Sequence, residues 1–375
     1  MKETEKTTTE KTTTEKKTTE FQLPKSVMKW VALGLVLSSS VVIAISFFSG
    51  VTLSDLAKLG YVTFALAAAA SASKLLVQIL RFRVLTLGLA GDRKPNLSGL
   101  ALARIASEFV SLSTPATSMG VFIRTSWLSG KGVEGAKALW IGYFEILMEV
   151  YVGCGLGFVA AVYALSRGAV VIGSSIALVA TIIIIGYTFI FVVPALKNIK
   201  VPHRVFSIAS RLVGGERATA IYLRAVVSTL NFSLAARAIV KRENVPVVIK
   251  VVGLTIIEDF LAGTALWLVL ISAGLKIDPL SSVLAVYGVA AIAQLPISIG
   301  GAGITELTMQ AYLIYLYKFT SWASIVLWRI ATYQVMLAIT GIVFLLFVRK
   351  STKHAKPIPD IDKKTSQVIQ DVAPD

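Results

Sequence analysis

Long apolar runs recur along the chain, and several are long enough to cross a membrane. A helix needs about 20 consecutive apolar residues to span the hydrocarbon core of a bilayer. With 55% hydrophobic and 15% charged residues, the composition also differs from that of a soluble domain. The pattern predicts an all-α, polytopic membrane protein of about 6–7 spans and excludes a soluble enzyme domain among them. The clearest runs are residues 28–48, 61–80, 138–165, 170–193, 251–273 and 321–348.

The two ends of the chain are polar. Residues 1–25 form a low-complexity segment of Thr, Lys and Glu, and residues 351–375 are polar with several prolines. Neither end has enough apolar surface to fold, so both are predicted to be disordered tails. Between them we predict a single transmembrane domain, residues 26–350, with a first half at about 26–195 and a second at about 218–350.

The distribution of basic residues predicts the orientation of the chain. The net charge is +16, and lysines and arginines cluster in alternate connections, as the positive-inside rule requires. This explanation is favoured over nucleic-acid binding, for which no motif is present. It predicts a cell-membrane protein with both termini in the cytoplasm. The basic clusters are Lys25 and Lys29; Arg81, Arg83, Arg93 and Lys94; Lys197, Lys200, Arg204, Arg211 and Arg217; and Arg349, Lys350, Lys353 and Lys356.

Two segments are predicted to be re-entrant hairpins rather than spans. Residues 97–128 are interrupted at Thr114-Pro115, and residues 282–317 are broken between Pro296 and Gly303. Broken helices at corresponding places in two halves are typical of inverted-repeat transporters with a site at mid-membrane. Residues 218–240 are open to three interpretations: a short span, an interfacial helix or a third hairpin.

The second hairpin carries the residues most typical of an anion site. Glycine tolerates positive φ and close backbone approach, so consecutive amides can converge on an anion at the start of the following helix. A glutamate at membrane depth costs about 2.5–3.5 kcal/mol on insertion scales, which favours a function over simple helix capping. Capping by the first-turn residues remains the alternative. The substrate-binding candidates here are Pro296, Gly300, Gly301, Gly303, Thr305 and Glu306.

The first hairpin has a comparable design. Pro115 lies in the first turn of its second half, and Arg124 lies two to three turns further along. We predict that Arg124 either contacts a substrate phosphate or extends to the headgroup region. Arg104 and Glu108 are four residues apart and are predicted to pair on one helix face.

Several carboxylates lie inside predicted spans. Glu145 and Glu149 are one turn apart, whereas Glu258 and Asp259 are adjacent and point about 100° apart. Because unpaired charges are expensive in lipid, pairing with arginines is expected. Ion or proton coupling through Glu145, Glu149 or Glu258 is the alternative. The candidate partners are Arg124, Arg237 and Arg329, and Arg329 is also a substrate-binding candidate.

The sequence has none of the usual signatures of catalysis or metal binding. It contains no HExxH, CxxC or P-loop motif, and its two histidines lie in polar connections. The single cysteine, Cys154, is predicted to be a core residue. We therefore predict no catalytic residues, no metal and no cofactor.

The segment LPISIGGAGITE, residues 295–306, followed by WASIVLWR, which ends at Arg329, resembles the membrane region of the lysylphosphatidylglycerol synthase/flippase family. The earlier segment STPATSMGVFIR is similar to a first motif of that family, with Met119 in place of one glycine. The resemblance covers residues 28–348. It implies a lipid-handling module with two inward-folded hairpins and no soluble aminoacyl-transferase domain.

These observations together predict a lipid translocase. Its expected substrate is an anionic phospholipid or a polyprenyl-phosphate-linked lipid, and its expected partners are membrane lipids and a lipid-modifying enzyme, with no nucleic acid. Two alternatives remain open at this point: a proton-coupled secondary transporter of a small anion, and a non-transporting partner of a membrane glycosyltransferase or lipid-modifying enzyme. The sequence does not predict an oligomeric state.

Overall fold

The structure is a computed structural model. It describes residue 36 and residues 39–91, 95–114, 119–193, 241–294 and 300–352. Between 206 and 237 it describes residues 206, 207, 210, 219, 222, 226, 229, 230 and 232–237. Residues 1–25 and 353–375 of the predicted tails, the first part of the predicted span 28–48 and about half of residues 218–240 lie outside the described residues, whereas residues 351–352 are helical.

The described chain is all-α, as the apolar runs predict. The first five helices are α1 (Ser39–Phe48), α2 (Leu53–Lys58), α3 (Tyr61–Leu89), α4 (Leu97–Leu112) and α5 (Gly120–Gly130). They are followed by α6 (Gly135–Ser166), α7 (Val170–Tyr187), α8 (Val245–Ser272) and α9 (Pro279–Ala293). The last three are α10 (Ile304–Tyr317), α11 (Trp322–Arg329) and α12 (Val335–Thr352).

Five helical segments of the described chain are long and apolar enough to cross a membrane. Three of them are extended by a turn of different geometry. A π-helical turn, Thr188–Val192, continues α7, and a 3-10 turn, Arg242–Asn244, precedes α8. A second π-helical turn, Ile330–Gln334, joins α11 to α12 into one segment. The protein is therefore a multi-pass membrane protein, with α3, α6, α7, α8 and α11–α12 as its long segments.

The short connections divide between the two ends of the helix bundle. The α3–α4 and α5–α6 connections lie at one end, since a Cβ on Gly91 after α3 would lie 3.8 Å from the Lys137 ammonium of α6. The start of α8 lies at the same end, since a Cβ on Gly88 near the end of α3 would lie 2.6 Å from Val247. The α6–α7, α8–α9 and α10–α11 connections lie at the other end. We call the first end the basic side, since it carries Lys131, Lys241, Arg242, Arg349 and Lys350.

Two pairs of short helices form hairpins that open toward opposite ends. The 16 residues of α4 and 11 of α5 pack against each other and open toward the basic side. The 15 residues of α9 and 14 of α10 pack together and open toward the other end. At 1.5 Å per residue each helix extends about 24 Å or less, too short to cross a bilayer. The structure thus contains the two broken-helix hairpins predicted from the sequence, while the inverted repeat stays a prediction.

Close helix packing depends on particular glycines, and α8 offers a matched pair of them. A Cβ on Gly263 would lie 2.7 Å from the Val283 Cα of α9, whereas a Cβ on Gly253 would meet nothing within 4 Å. We expect Gly263→Ala to destabilise the protein by about 1–3 kcal/mol through overpacking. We expect Gly253→Ala to be neutral or stabilising by about 0.5–1 kcal/mol, because alanine favours the helix. Thermal unfolding in detergent measures both, and equal midpoints would contradict the close α8–α9 packing.

Candidate functional site

A cavity of about 330 Å³ lies where the two hairpins approach each other inside the helix bundle. Its wall includes Leu112 at the end of α4 together with Gly300 and Gly301 of the turn before α10, so both hairpin ends contribute. Helices α3, α6, α7, α8, α9, α10 and α11 and the π-helical turn after α11 supply the remainder. The side chains that carry charge in the wall are Lys74, Glu149 and Arg329.

Lys74 is a cation of this cavity without an ion-pair or hydrogen-bond partner in the described part of the chain. It projects from α3, is half-buried, and forms neither an ion pair nor a hydrogen bond with the described residues. The sequence analysis did not identify this residue. The signal was present, since a single lysine interrupts the predicted span 61–80, and an ionisable residue inside a span marks a functional site by default.

The glycine turn before α10 is organised by Glu306. Gly300, Gly301 and Gly303 all adopt positive φ, as predicted for this turn. The Gly303 amide at the N-cap donates to the Glu306 carboxylate at 2.7 Å, which is the glutamate half of a capping box. Glu306 is 1% exposed. The N-terminus of α10, which was predicted to receive an external anion, therefore already holds a carboxylate of the protein itself.

Arg329 joins the glycine turn to the last span. Its Nε lies 2.7 Å from the Glu306 carboxylate, and one of its terminal nitrogens donates to the Gly300 carbonyl. The guanidinium also lies over the Tyr333 ring, 4.1 Å from its centroid. The positive charge of Arg329 is therefore shared with Glu306, although the side chain still borders the cavity.

Tyr333 connects the two hairpins. It lies in the π-helical turn after α11, and its hydroxyl donates to the Leu112 carbonyl at 2.7 Å. A Cβ on Gly300 would lie 2.6 Å from the Tyr333 ring, so a glycine is needed at this contact. One residue of the last span thus contacts the ends of both hairpins at the cavity. Single π-turns inside α-helices are frequent at functional sites.

A buried ion cluster adjoins the cavity. Arg81 of α3 is 0% exposed and contacts three carboxylates: Glu145 at 3.2 Å, Glu258 at 2.6 Å, and Glu149. It also donates to Thr255 at 3.2 Å. The side chain of Glu149 is 37% exposed and belongs to the cavity wall, so it links the cluster to the cavity.

Two arginines of the first hairpin complete the cluster. Arg104 pairs with Glu108 at 2.8 Å, as predicted from their spacing, and with Glu145 at 2.9 Å. Arg124 also pairs with Glu145. Four carboxylates thus surround three arginines, which leaves one excess negative charge when every group is ionised. The predicted pairing of Glu145 and Glu149 with arginines is present.

The structure and the sequence analysis differ on the identity of the arginines. Arg81 was counted among the basic residues that follow a span, yet α3 continues to Leu89 and buries it. Among the expected partners, Arg124 pairs with a span carboxylate, Arg329 pairs with Glu306, and Arg237 is exposed. Arg124 is buried and so does not extend to the headgroup region.

The other predicted site residues are placed as follows. Glu258 faces Arg81 and Gln78, whereas Asp259 faces Tyr287, so these adjacent carboxylates point to different partners as expected. Thr305 lies in the cavity wall. Pro115 and Pro296 lie outside the described residues. In the described part of the chain, no group of three or more His, Cys, Asp or Glu side chains could hold a metal ion.

Comparison with protein families matches residues 31–341 to the family described as lysylphosphatidylglycerol synthase TM region. The matched range contains both hairpins, the ion cluster and the cavity. A comparison with curated proteins found no match.

Proposed function

Because the chain belongs to the lysylphosphatidylglycerol synthase TM-region family, we propose that it moves an anionic lipid between the leaflets of a membrane. The candidates are a phospholipid and a polyprenyl-phosphate-linked lipid. The observation that carries the proposal is the cavity between two oppositely directed hairpins, whose Lys74 has no partner among the described residues. A role in lipid handling follows from the family, and transport rather than catalysis is the proposed form of it.

The charges of the cavity support an anionic headgroup. Lys74 is available to a phosphate, whereas the charge of Arg329 is already shared with Glu306. Lys74 is therefore assigned the main contact with the headgroup phosphate, and Arg329 a secondary one. The acyl chains remain in the surrounding lipid while the headgroup crosses. The hairpins open toward opposite ends, which suits a site that is reached from each leaflet in turn.

The orientation is part of the proposal. Lysines and arginines concentrate on the basic side, and such residues are retained in the cytoplasm. We assign the basic side to the cytoplasm and the protein to the cell membrane. The first hairpin then opens toward the cytoplasm and the second toward the exterior.

Leaflet exchange of fluorescent lipids in liposomes tests the proposed function. We expect headgroup-selective exchange by the purified protein, slowed about tenfold or more by Lys74→Gln, because a hydrogen bond to a charged group contributes about 1.5–3 kcal/mol. Lys276→Gln is the matched control, since Lys276 is exposed in the α8–α9 connection. It should exchange lipid at the wild-type rate.

One result would contradict the proposed function, and another would contradict the role of Lys74. Folded protein that exchanges no lipid, whatever the headgroup, would exclude a translocase. Proton-dependent uptake of free phosphate under those conditions would instead support a transporter of a small anion. Exchange that is equally fast in the Lys74 and Lys276 variants would keep the function but remove Lys74 from the site.

A further inference from the structure

Asp259 has a carboxyl group that is buried without a cationic partner. It lies in α8 and is 5% exposed. One carboxyl oxygen, Oδ1, accepts a hydrogen bond from the Tyr287 hydroxyl of α9. The other, Oδ2, is buried and has no hydrogen-bond partner among the described residues. No lysine or arginine of the described chain forms an ion pair with Asp259.

The preceding residue, Glu258, is a buried carboxylate that has both a cationic partner and a hydrogen-bond donor. Glu258 pairs with Arg81 at 2.6 Å and accepts a hydrogen bond from the Gln78 amide at 2.6 Å. Asp259 has the same depth along α8 but only a neutral donor. Burial disfavours the charged form of a carboxyl group, and a charge without a partner is avoided by neutralisation. Burial therefore favours the protonated form of Asp259, and a nearby positive charge opposes it.

Asp259 lies close behind the cavity wall. Residues three apart on a helix are neighbours on one face. Asp259 is three residues before Ala262, and Tyr287 is three residues before Ala290, and both alanines belong to the wall. Gln294 also belongs to the wall, and a Cβ on Gly153 would lie 3.5 Å from the Tyr287 ring and 3.9 Å from the Gln294 amide nitrogen. Gly153 thus leaves room for Tyr287 beside the cavity.

Charged groups from several elements act on this site. Lys74 of α3 interacts electrostatically with Asp259 and is also a cation of the cavity wall. The elements packed against α8 carry the following titratable or charged groups near the cavity and the ion cluster. These are Lys74 and Arg81 on α3, Glu145 and Glu149 on α6, Tyr287 on α9, Arg329 on α11 and Tyr333 in the following π-helical turn, with Glu258 on α8 itself.

We propose that Asp259 is a proton-binding site coupled to the anion site of the cavity. When an anionic headgroup neutralises Lys74, Asp259 loses the nearby positive charge that favours its ionised form. One proton from the aqueous phase then binds at Oδ2, while Oδ1 continues to accept a hydrogen bond from Tyr287. When the headgroup leaves, Lys74 is uncovered and the proton is released. Proton and lipid anion thus cross in the same direction.

The coupling of the proton to lipid movement rests on the proposed function. Protonation of Asp259, however, can be measured without transport. Infrared difference spectra of the protein in nanodiscs of zwitterionic lipid detect the carbonyl stretch of a protonated carboxyl group. The probes are short-chain phosphatidylglycerol and inorganic phosphate, added separately. We expect the band to increase with either anion in the wild type and in Glu134→Gln, an exposed control at the start of α6. We expect complete loss of the increase in Asp259→Asn.

Asp259→Asn is expected to fold, because an amide oxygen can still accept the hydrogen bond from Tyr287. A wild type without the band, or a band that persists in Asp259→Asn, would overturn the proton site. In liposomes with a pH gradient, the wild type should accumulate the anionic lipid in the leaflet on the less acidic side. Asp259→Asn should only equilibrate the two leaflets.

The infrared and liposome experiments together distinguish failure of the proton site from failure of the proposed function. Lipid exchange without a response to the gradient, combined with no infrared band, rejects the proton site and leaves the translocase. No lipid movement, combined with a phosphate-induced band that Asp259→Asn removes, rejects the translocase and retains a proton-linked anion site.

Discussion

Arg81→Gln is expected to destabilise the protein strongly and to lower the yield of folded protein. Arg81 contacts Glu145, Glu149 and Glu258, and only Arg81 pairs with Glu258 among the described arginines. Its loss leaves Glu258 buried with the Gln78 amide alone. Breaking a buried ion pair by removing one partner costs about 3–5 kcal/mol. Because total stabilities are about 5–15 kcal/mol, the variant should lose a large part of its free energy of unfolding. The yield of monodisperse protein and its thermal midpoint measure the effect.

The neighbouring Arg83 provides the control. It lies on the same helix two residues away and is exposed. Exposed charge pairs contribute about 0–1 kcal/mol, so Arg83→Gln should match the wild type in yield and midpoint. A specific destabilisation of Arg81→Gln then reflects the ion cluster rather than a general effect of removing an arginine from α3.

The double variant Arg81→Gln, Glu258→Gln tests the mechanism. Replacing Glu258 as well removes the buried charge that Arg81→Gln leaves unpaired. We expect the double variant to recover a large part of the lost stability, since residues in contact couple by about 0.5–3 kcal/mol in such cycles. If the two single effects simply add, or if Arg81→Gln is as stable as Arg83→Gln, the cluster does not stabilise the fold as argued.

The architecture was largely predictable because it follows from local rules. Apolar runs of spanning length identified the long segments, and interruptions by proline and glycine identified the two hairpins. The spacing of Arg104 and Glu108 predicted their pair, and the one-turn spacing of Glu145 and Glu149 predicted a shared face. The capping role of Glu306 was one of two stated alternatives and is present in the structure.

The features that the sequence did not predict depend on contacts between distant residues or on where a helix ends. A hydropathy window stops at Arg81, but α3 ends at Leu89, because carboxylates of α6 and α8 compensate the arginine charge. Lys74 was overlooked because small and apolar neighbours kept its window hydrophobic. The contact of Tyr333 with Leu112 joins residues 221 positions apart, and no sequence pattern predicts it.

The pair of Glu306 and Arg329 is expected to control lipid release, and two variants should affect binding with opposite signs. Glu306→Gln keeps the cap of α10, because glutamine also serves in a capping box. It removes the charge that partly neutralises Arg329. The cavity wall then has two cations, Lys74 and Arg329, that form no ion pair with the described residues. Anionic lipid should bind more tightly and leave more slowly, so exchange should fall about tenfold, the effect of one charged hydrogen bond.

Arg329→Gln should also slow exchange, but through weaker binding. It removes a cation from the cavity wall and the hydrogen bond to the Gly300 carbonyl, which helps to hold the glycine turn. Equilibrium binding of a fluorescent anionic lipid, measured beside leaflet exchange, separates the two causes. Glu134→Gln is the control for removing a glutamate outside the cavity and should behave as the wild type in both assays.

The sign of the binding change decides between a role in transport and a purely structural role. A pair that only supports the fold would lower thermal stability and binding together in both variants, because each would disorder the same turn. A pair that tunes the charge of the cavity requires tighter binding in Glu306→Gln and weaker binding in Arg329→Gln, with slower exchange in each. Wild-type exchange in both variants would exclude this turn from the transport site and leave the headgroup to Lys74 alone.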